Sequence, residues 1–168
     1  MWPRISASPG RSGRGAVDTA QSLAELRQEI TDVRRVNGEQ ELKIASGARY
    51  KISAATRSAG RGLTVDHLTL DEIREPRNFD AWSALSKATI ARPNSQIWCI
   101  SNAGDRESVV LNHRRDAALS SQDSSIGIFE WSAPDGCPLD DIEAWKAANP
   151  ALGVTITLDA IRGALATD

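Results

Sequence analysis

Residues 63–72 read LTVDHLTLDE and decide the fold of the chain. The apolar side chains of Leu68 and Leu70 lead directly into the acidic pair Asp71 and Glu72. A short apolar run of this kind is typical of a strand inside a parallel sheet, because both faces of such a sheet are covered. The run therefore predicts a buried strand that carries two adjacent carboxylates at its C-terminal end.

A second apolar run with a polar end follows the acidic one. Residues 96–100 read QIWCI and open into the small polar run SNAG at 101–104. Between the two runs, residues 80–91 have helical apolar spacing, which Pro93 closes. A strand, a crossover helix and a parallel strand form a right-handed unit, so both strand ends are expected at the same edge of the sheet.

The remaining elements complete an α/β layered fold with a mostly parallel sheet. Residues 41–46 and 49–54 alternate around a glycine turn, which predicts a β-hairpin. Alternation in residues 125–131 predicts one more strand. Helical spacing predicts helices at residues 19–33, 107–119, 142–148 and 158–166.

The composition limits the class of protein. Hydrophobic residues make up 40% and charged residues 25%, as in a soluble globular chain, and the net charge of −2 argues against nucleic-acid binding by bulk charge alone. Cys99, Cys137, His67 and His113 show no metal-ligand spacing, so free thiols are expected. The sequence shows neither a signal peptide nor an apolar span, which predicts a cytoplasmic protein without a membrane segment.

The acidic pair suits nucleotide hydrolysis. One carboxylate can organise the Mg²⁺ that bridges the terminal phosphates, usually through water, and the next can polarise the attacking water. Two adjacent acids also occur at the N-terminus of a helix, where they interact favourably with its dipole. On these residues alone, both interpretations of Asp71 and Glu72 stay open.

Two further runs are candidates for phosphate contacts. Ser101 and Asn102 follow the second strand and could contact the γ-phosphate or its attacking water, although the same residue types also favour an ordinary turn. Residues 57–62 read RSAGRG, and Arg57 or Arg61 could bind phosphate beside the permissive glycines. The alternative for this run is a flexible solvent loop.

Taken together, these runs resemble the terminase large subunits of tailed phages, the DNA-packaging ATPases. The resemblance extends from residue 16 to the end of the chain. It rests on GARYKISAATR at 47–57, GRGL at 60–63, DHLTLDE at 66–72, WSAL at 82–85, ARPN at 91–94, SNAGD at 101–105, FEWSAP at 129–134 and WKAANPALG at 145–153. The combination is far more specific than any one motif.

The resemblance implies a partial P-loop NTPase-like fold and a set of site residues. Asp71 would organise Mg²⁺ through water, and Glu72 would be the catalytic carboxylate. Ser101 and Asn102 would couple hydrolysis to DNA movement, and Arg57 or Arg61 would sense phosphate.

The resemblance also implies cofactors and partners. The family uses ATP and Mg²⁺, acts on double-stranded DNA and works with a portal protein and a terminase small subunit. Its members form a homo-oligomeric ring in the cytoplasm of the bacterial host, and no membrane is involved.

The sequence departs from the family at its N-terminus. It contains no Gly-x-x-x-x-Gly-Lys-Ser/Thr run, and residues 1–15, MWPRISASPGRSGRG, are expected to be a disordered or non-family tail. Residues 16–132 would be the C-terminal part of the ATPase domain. Residues 133–168 would be a linker and helix that lead toward a missing nuclease domain.

These departures leave the activity of the isolated chain open. We expect it to be incomplete and inactive alone. The alternatives to a terminase fragment are an inactive prophage remnant, a partner-binding fragment, or a segment of another helicase-like P-loop ATPase.

Overall fold

A computed structural model describes residues 4–6, 12–36 and 39–167 of the chain. It divides into two compact units, Met1–Ser120 and Ser121–Asp168. The boundary predicted after residue 132 lies inside the second unit. Within the described residues, no helix has the length and apolarity needed to cross a bilayer.

The first unit is built on a mixed sheet. In the described part of the chain this sheet has six strands: β1 Arg4–Ser6, β2 Ile30–Val36, β3 Glu39–Ile44, β4 Arg49–Ser53, β5 His67–Asp71 and β6 Gln96–Ile100. Their order is β2-β3-β4-β1-β5-β6. The four strands from β4 to β6 run parallel, whereas β2, β3 and β4 are antiparallel. The predicted mostly parallel α/β sheet is therefore confirmed, with an antiparallel extension on one side.

Helices precede, connect and follow the strands of this unit. They are α1 Ser12–Ser22, α2 Ala24–Glu29, α3 Asp80–Ser86 and α4 Val109–Ser120, and a short 3₁₀ turn at Lys87–Thr89 follows α3. The predicted helix at 80–91 thus ends early, and the one at 107–119 is confirmed with slightly shifted ends. The helix connecting β5 to the parallel strand β6 supplies the crossover expected from the sequence.

The core lies under β5 and α3. Leu68 and Leu85 are 0% and 1% exposed, and Val65, Leu70 and Ala88 belong to the same buried cluster. Burying a leucine side chain contributes about 1.5–3 kcal/mol. Strand β5 is therefore fixed in the centre of the unit, and the position of its C-terminal end is well defined.

Part of residues 1–15, which were expected to be a disordered or non-family tail, forms regular secondary structure. Arg4–Ser6 forms β1 between β4 and β5, and α1 already begins at Ser12. Parallel hydrogen bonding from both neighbours satisfies this three-residue strand, a tertiary effect that apolar periodicity does not reveal. The rest of the predicted tail, residues 1–3 and 7–11, lies outside the described residues.

Two further elements differ from the sequence expectation. The helix predicted at 19–33 ends at Glu29, and Ile30–Val36 pairs with β3 because its β-branched residues favour a ladder. The strand predicted at 125–131 is wrong, since no residue of this segment is assigned to a strand. Its alternating apolar residues find no partner strand in the described chain, and alternation alone does not form a ladder.

The second unit is helical. Helices α5 Ile142–Ala148 and α6 Leu158–Leu165 match the predicted positions. The side chain of Asp141 accepts hydrogen bonds from the amides of Glu143 and Ala144, and Thr157 caps α6 in the same way. The two helices surround an open pocket of about 380 Å³ whose lining includes Trp145 and Arg162.

Candidate nucleotide-hydrolysis site

The acidic pair lies at the C-terminal end of a central strand. Asp71 is the last residue of β5, which has β1 on one side and β6 on the other. Glu72 follows directly, and both residues are half-buried. In parallel sheets the ligand crevice lies outside this edge, so the sheet delivers both carboxylates to the place where ligands bind.

The backbone at Glu72 has an unusual conformation. Its φ is +53°, and it is the one non-glycine residue with positive φ in the described chain. Such a conformation costs of order 1 kcal/mol in a residue other than glycine and persists only where surrounding contacts hold it. One contact is local, since the Glu72 amide donates to Oδ1 of Asp71 at 3.0 Å. The backbone at Glu72 is therefore strained and relies on neighbouring contacts.

The second polar tip follows β6 and forms a tight turn. The Ser108 hydroxyl accepts from the Asp105 amide at 3.1 Å and donates to Asp105 Oδ1 at 3.2 Å. A Cβ at Gly104 would lie only 2.6 Å from the Ser108 Cβ, so this position excludes larger residues. Ser101 and Asn102 are held at the start of this turn, half-buried and exposed respectively.

The two strand tips are in direct contact. The Ile73 amide donates to the Ile100 carbonyl at 3.3 Å, and the Arg74 amide donates to Oγ of Ser101 at 3.2 Å. Arg77 also bridges the tips, since its Nη1 lies 3.1 Å from Oδ1 of Asp105. The structure thus brings together Asp71, Glu72 and Ser101, as the crossover pattern predicts.

The Asp105 carboxylate at the β6 tip is held by several hydrogen bonds and an ion pair. The Glu107 amide donates to the Asp105 carboxylate at 2.8 Å. This hydrogen bond, followed by the contacts with Arg77 and Ser108, lowers the pKa of Asp105. Asp105 is therefore a stable anion beside Ser101 and Asn102, which is a feature that the sequence alone did not single out.

The candidate arginines lie on the preceding loop. Arg57 forms an ion pair with Asp80, the first residue of α3, and this contact raises the pKa of Arg57. Arg61 is exposed. In the described chain, neither arginine side chain forms a hydrogen bond or ion pair with Asp71, Glu72 or Ser101. The structure therefore does not join the arginines to the acidic pair.

The chain is similar in sequence to a known phage protein. No protein-family model matches the chain. The chain is 30% identical over 139 residues to the large terminase subunit of Enterobacteria phage HK97, an alignment that covers 80% of this chain and 27% of that protein. The chain thus spans about a quarter of the length of this curated relative.

One solved structure shows the same fold over nearly the whole chain. The crystal structure of the HK97 bacteriophage large terminase matches with a TM-score of 0.82 at 23% identity, over 99% of this chain and 36% of that one. The ATPase domain of the Thermus phage P74-26 large terminase matches with a TM-score of 0.48 at 18% identity, over 61% of this chain and 48% of that one.

The fold and the polar strand tips define the class first: an α/β domain with a mostly parallel sheet and acids at the end of a central strand. Similarity in sequence and in structure then points to a particular kind of protein. The chain is similar to one part of a phage terminase large subunit, that of HK97.

Proposed function

We propose that this chain supplies the carboxylate side of the ATP-hydrolysis site of a DNA-packaging terminase. The observation that carries the proposal is the meeting of two strand tips, with Asp71 and Glu72 beside Ser101. Parallel strands present both tips to a ligand at the same edge. The two acids have separate roles in this proposal, because Glu72 leaves the strand with positive φ and Asp71 does not.

Asp71 fits a water-mediated Mg²⁺ contact. Its half-buried carboxylate ends the strand, and only its Oδ1 is engaged by the Glu72 amide in the described chain. The described residues contain no group of three or more His, Cys, Asp or Glu side chains arranged to hold a metal ion, so an all-protein cage does not fit. Mg²⁺ commonly keeps several waters and uses one or two carboxylates plus substrate phosphates. When bound, the ion would neutralise charge on the terminal phosphates.

Glu72 is the proposed general base. Its carboxylate polarises the water that attacks the γ-phosphate of ATP and accepts a proton from it. Ser101 and Asn102, at the neighbouring tip, contact the γ-phosphate region and couple hydrolysis to DNA movement. Arg57 or Arg61 senses the phosphate, and Arg57 must leave Asp80 to do so.

The proposed setting is that of the whole subunit. The substrates are ATP and double-stranded DNA, and the partners are a portal protein, a terminase small subunit and further copies of the subunit in a ring. The site of action is the cytoplasm of the bacterial host. Because the net charge is −2, we propose that DNA contacts a local positive surface and is not attracted by the overall charge of this chain.

ATP hydrolysis by the purified chain tests the proposal. The sequence alone predicts an inactive chain, because it has no Lys-Ser/Thr phosphate loop. The proposed site instead predicts slow turnover that requires millimolar Mg²⁺ and ATP. Glu72→Gln should reduce phosphate release to background. Glu107→Gln is the matched control, since Glu107 is an exposed acid at the same edge that pairs with Arg77.

Two results decide the outcome. Turnover in the wild type and in the control variant, with loss in Glu72→Gln, supports the assignment of Glu72. Phosphate release that is equal in the wild type and in Glu72→Gln overturns it and leaves the inactive-remnant interpretation. Stimulation by double-stranded DNA supports packaging as the purpose of hydrolysis.

A further inference from the structure

Arg74 contacts both halves of the candidate site. Its Nε lies 2.8 Å from Oε2 of Glu72, its amide donates to Oγ of Ser101 at 3.2 Å, and its Nη1 donates to the Ala103 carbonyl at 3.4 Å. One residue therefore binds the acidic end of β5 and the polar turn after β6. Sequence motifs did not single out this arginine.

Glu72 is the closer of two carboxylates available to Arg74. Glu75 Oε1 lies 3.3 Å from the same Nε, and its side chain is 69% exposed, compared with 41% for Glu72. Solvent weakens exposed ion pairs, so the contact with Glu72 is the stronger of the two. The Arg74 guanidinium therefore pairs mainly with Glu72, the carboxylate that we propose as the general base.

The contact between Arg74 and Glu72 is close but poorly aligned. Both Glu72 Oε2 and Arg74 Nε are shielded from solvent, and neither satisfies hydrogen-bond geometry within the described chain. A buried polar atom without a good hydrogen bond is destabilising. The ion pair therefore holds the Glu72 carboxylate in place while Oε2 stays able to accept a hydrogen bond from a water.

We propose that Arg74 is the positioning residue that holds Glu72 and sets its distance from the β6 tip. This inference rests on the proposed function of Glu72. The guanidinium restrains a carboxylate whose backbone is already strained, and the fixed fork of donors ties it to the loop of Ser101. Movement of that loop on nucleotide binding would then move the general base.

Steady-state ATP hydrolysis separates positioning from a merely structural role. Arg74→Gln should lower kcat about 10- to 100-fold while KM changes less than about twofold, because a displaced base affects the chemical step. Arg74→Lys should recover part of kcat, since one positive charge can still reach Glu72. Arg92→Gln is the matched control: Arg92 is a half-exposed arginine that pairs with Asp66 at the opposite end of β5, and this variant should stay within about twofold of the wild type.

A double-mutant cycle measures the same contact without nucleotide. Urea midpoints of the wild type, Glu72→Gln, Arg74→Gln and the double variant should be non-additive, with a coupling of about two- to fivefold in the unfolding equilibrium. The cycle of Glu72→Gln with Arg92→Gln should be additive, because Arg92 pairs with Asp66 at the opposite end of β5. Additivity at Glu72 and Arg74 overturns the inference.

The two experiments keep the two proposals apart. Coupling without any Glu72-dependent hydrolysis supports the contact of Arg74 and rejects the proposed function for this chain. Hydrolysis that depends on Glu72 but is unchanged in Arg74→Gln supports the proposed function and overturns the role of Arg74.

Discussion

Strands β5 and β6 are neighbours in register, yet their surroundings differ. Leu68 of β5 is fully buried, whereas its partner Ile97 on β6 is 37% exposed. Each strand ends in a polar tip, and both strands carry apolar residues. The difference comes from position: β5 has strands on both sides, while β6 is the edge of the sheet formed by the described residues.

This comparison shows that apolar composition alone does not reveal burial. Trp98 and Ile100 lie on the face of β6 opposite to Ile97, and they are 45% and 52% exposed. Both faces of β6 are therefore partly open to solvent. An apolar edge strand without a neighbour is an exposed pairing surface. Stability is therefore expected to depend on β5, and the tip of β6 depends on its own turn and on contacts with the β5 tip.

The largest difference should appear when the paired residues Leu68 and Ile97 are truncated. Leu68→Ala leaves a cavity in the core and should lower the free energy of unfolding by about 2–5 kcal/mol. Ile97→Ala should cost about 1 kcal/mol or less, because its side chain is partly in water already. Urea denaturation of both variants measures the difference. Equal losses of stability would show that Ile97 is buried in solution and that β5 and β6 do not differ in burial.

The loops beside the two strands both contain a closely packed glycine. A Cβ at Gly60, before β5, would press on the Ala84 carbonyl group, with its carbon at 2.9 Å, and a Cβ at Gly104 would lie 2.6 Å from the Ser108 Cβ. Neither a carbonyl nor a Cβ can rotate away, so Gly60→Ala and Gly104→Ala should each cost about 1–3 kcal/mol. Thermal unfolding checks both losses. Gly163→Ala is the control, since nothing lies within 4 Å of its added Cβ.

The thiol on β6 should react slowly despite its place on the edge strand. Cys99 is exposed as a residue, but the atoms packed around its thiol desolvate it and raise its pKa to about 11, and the positive charge of Arg114 opposes this rise. In a Cys137→Ser background, iodoacetamide labelling at pH 8 should be about 10- to 100-fold slower than for a free cysteine and should increase steadily toward pH 11. Arg114→Gln should slow it further. Labelling that levels off near pH 9 would contradict this desolvation.

The smallest effect concerns Asp105 at the β6 tip. Its pKa is lowered when the protein is folded, so its ionised form stabilises the protein above the unfolded pKa, and this contribution is lost as pH falls through the lower folded value. The wild type should thus exceed Asp105→Asn in urea midpoint at pH 6. The gap should narrow below about pH 4. A gap that is independent of pH would show that the Asp105 charge has no part in the turn.

The sequence predicted those elements whose pattern is local. Strand β5 was predicted from the apolar run before Asp71, and β6 from the run at residues 96–100. The crossover between them predicted that Ser101 lies near the acids, and the two strand tips are in contact. Alternation around Gly47 likewise gave the pair β3 and β4.

Features that depend on tertiary contacts were missed. Strand β1 has one strongly apolar residue, Ile5, and exists because two neighbours bond to it. The bridging role of Arg74 depends on the turn after β6, and no spacing rule links an arginine to a carbonyl 29 residues away. The roles of the six candidate site residues stay predictions: Asp71, Glu72, Ser101, Asn102, Arg57 and Arg61.

The Mg²⁺ dependence of ATP hydrolysis tests the central claim most directly. Wild type, Asp71→Asn and Glu72→Gln should be compared over a range of Mg²⁺ concentrations at fixed ATP. If the two acids have separate roles, Asp71→Asn should need about tenfold or more Mg²⁺ and recover much of its rate, while Glu72→Gln stays inactive at every concentration. Rates that are the same in all three proteins would contradict the claim that the acidic end of β5 is a nucleotide-hydrolysis site.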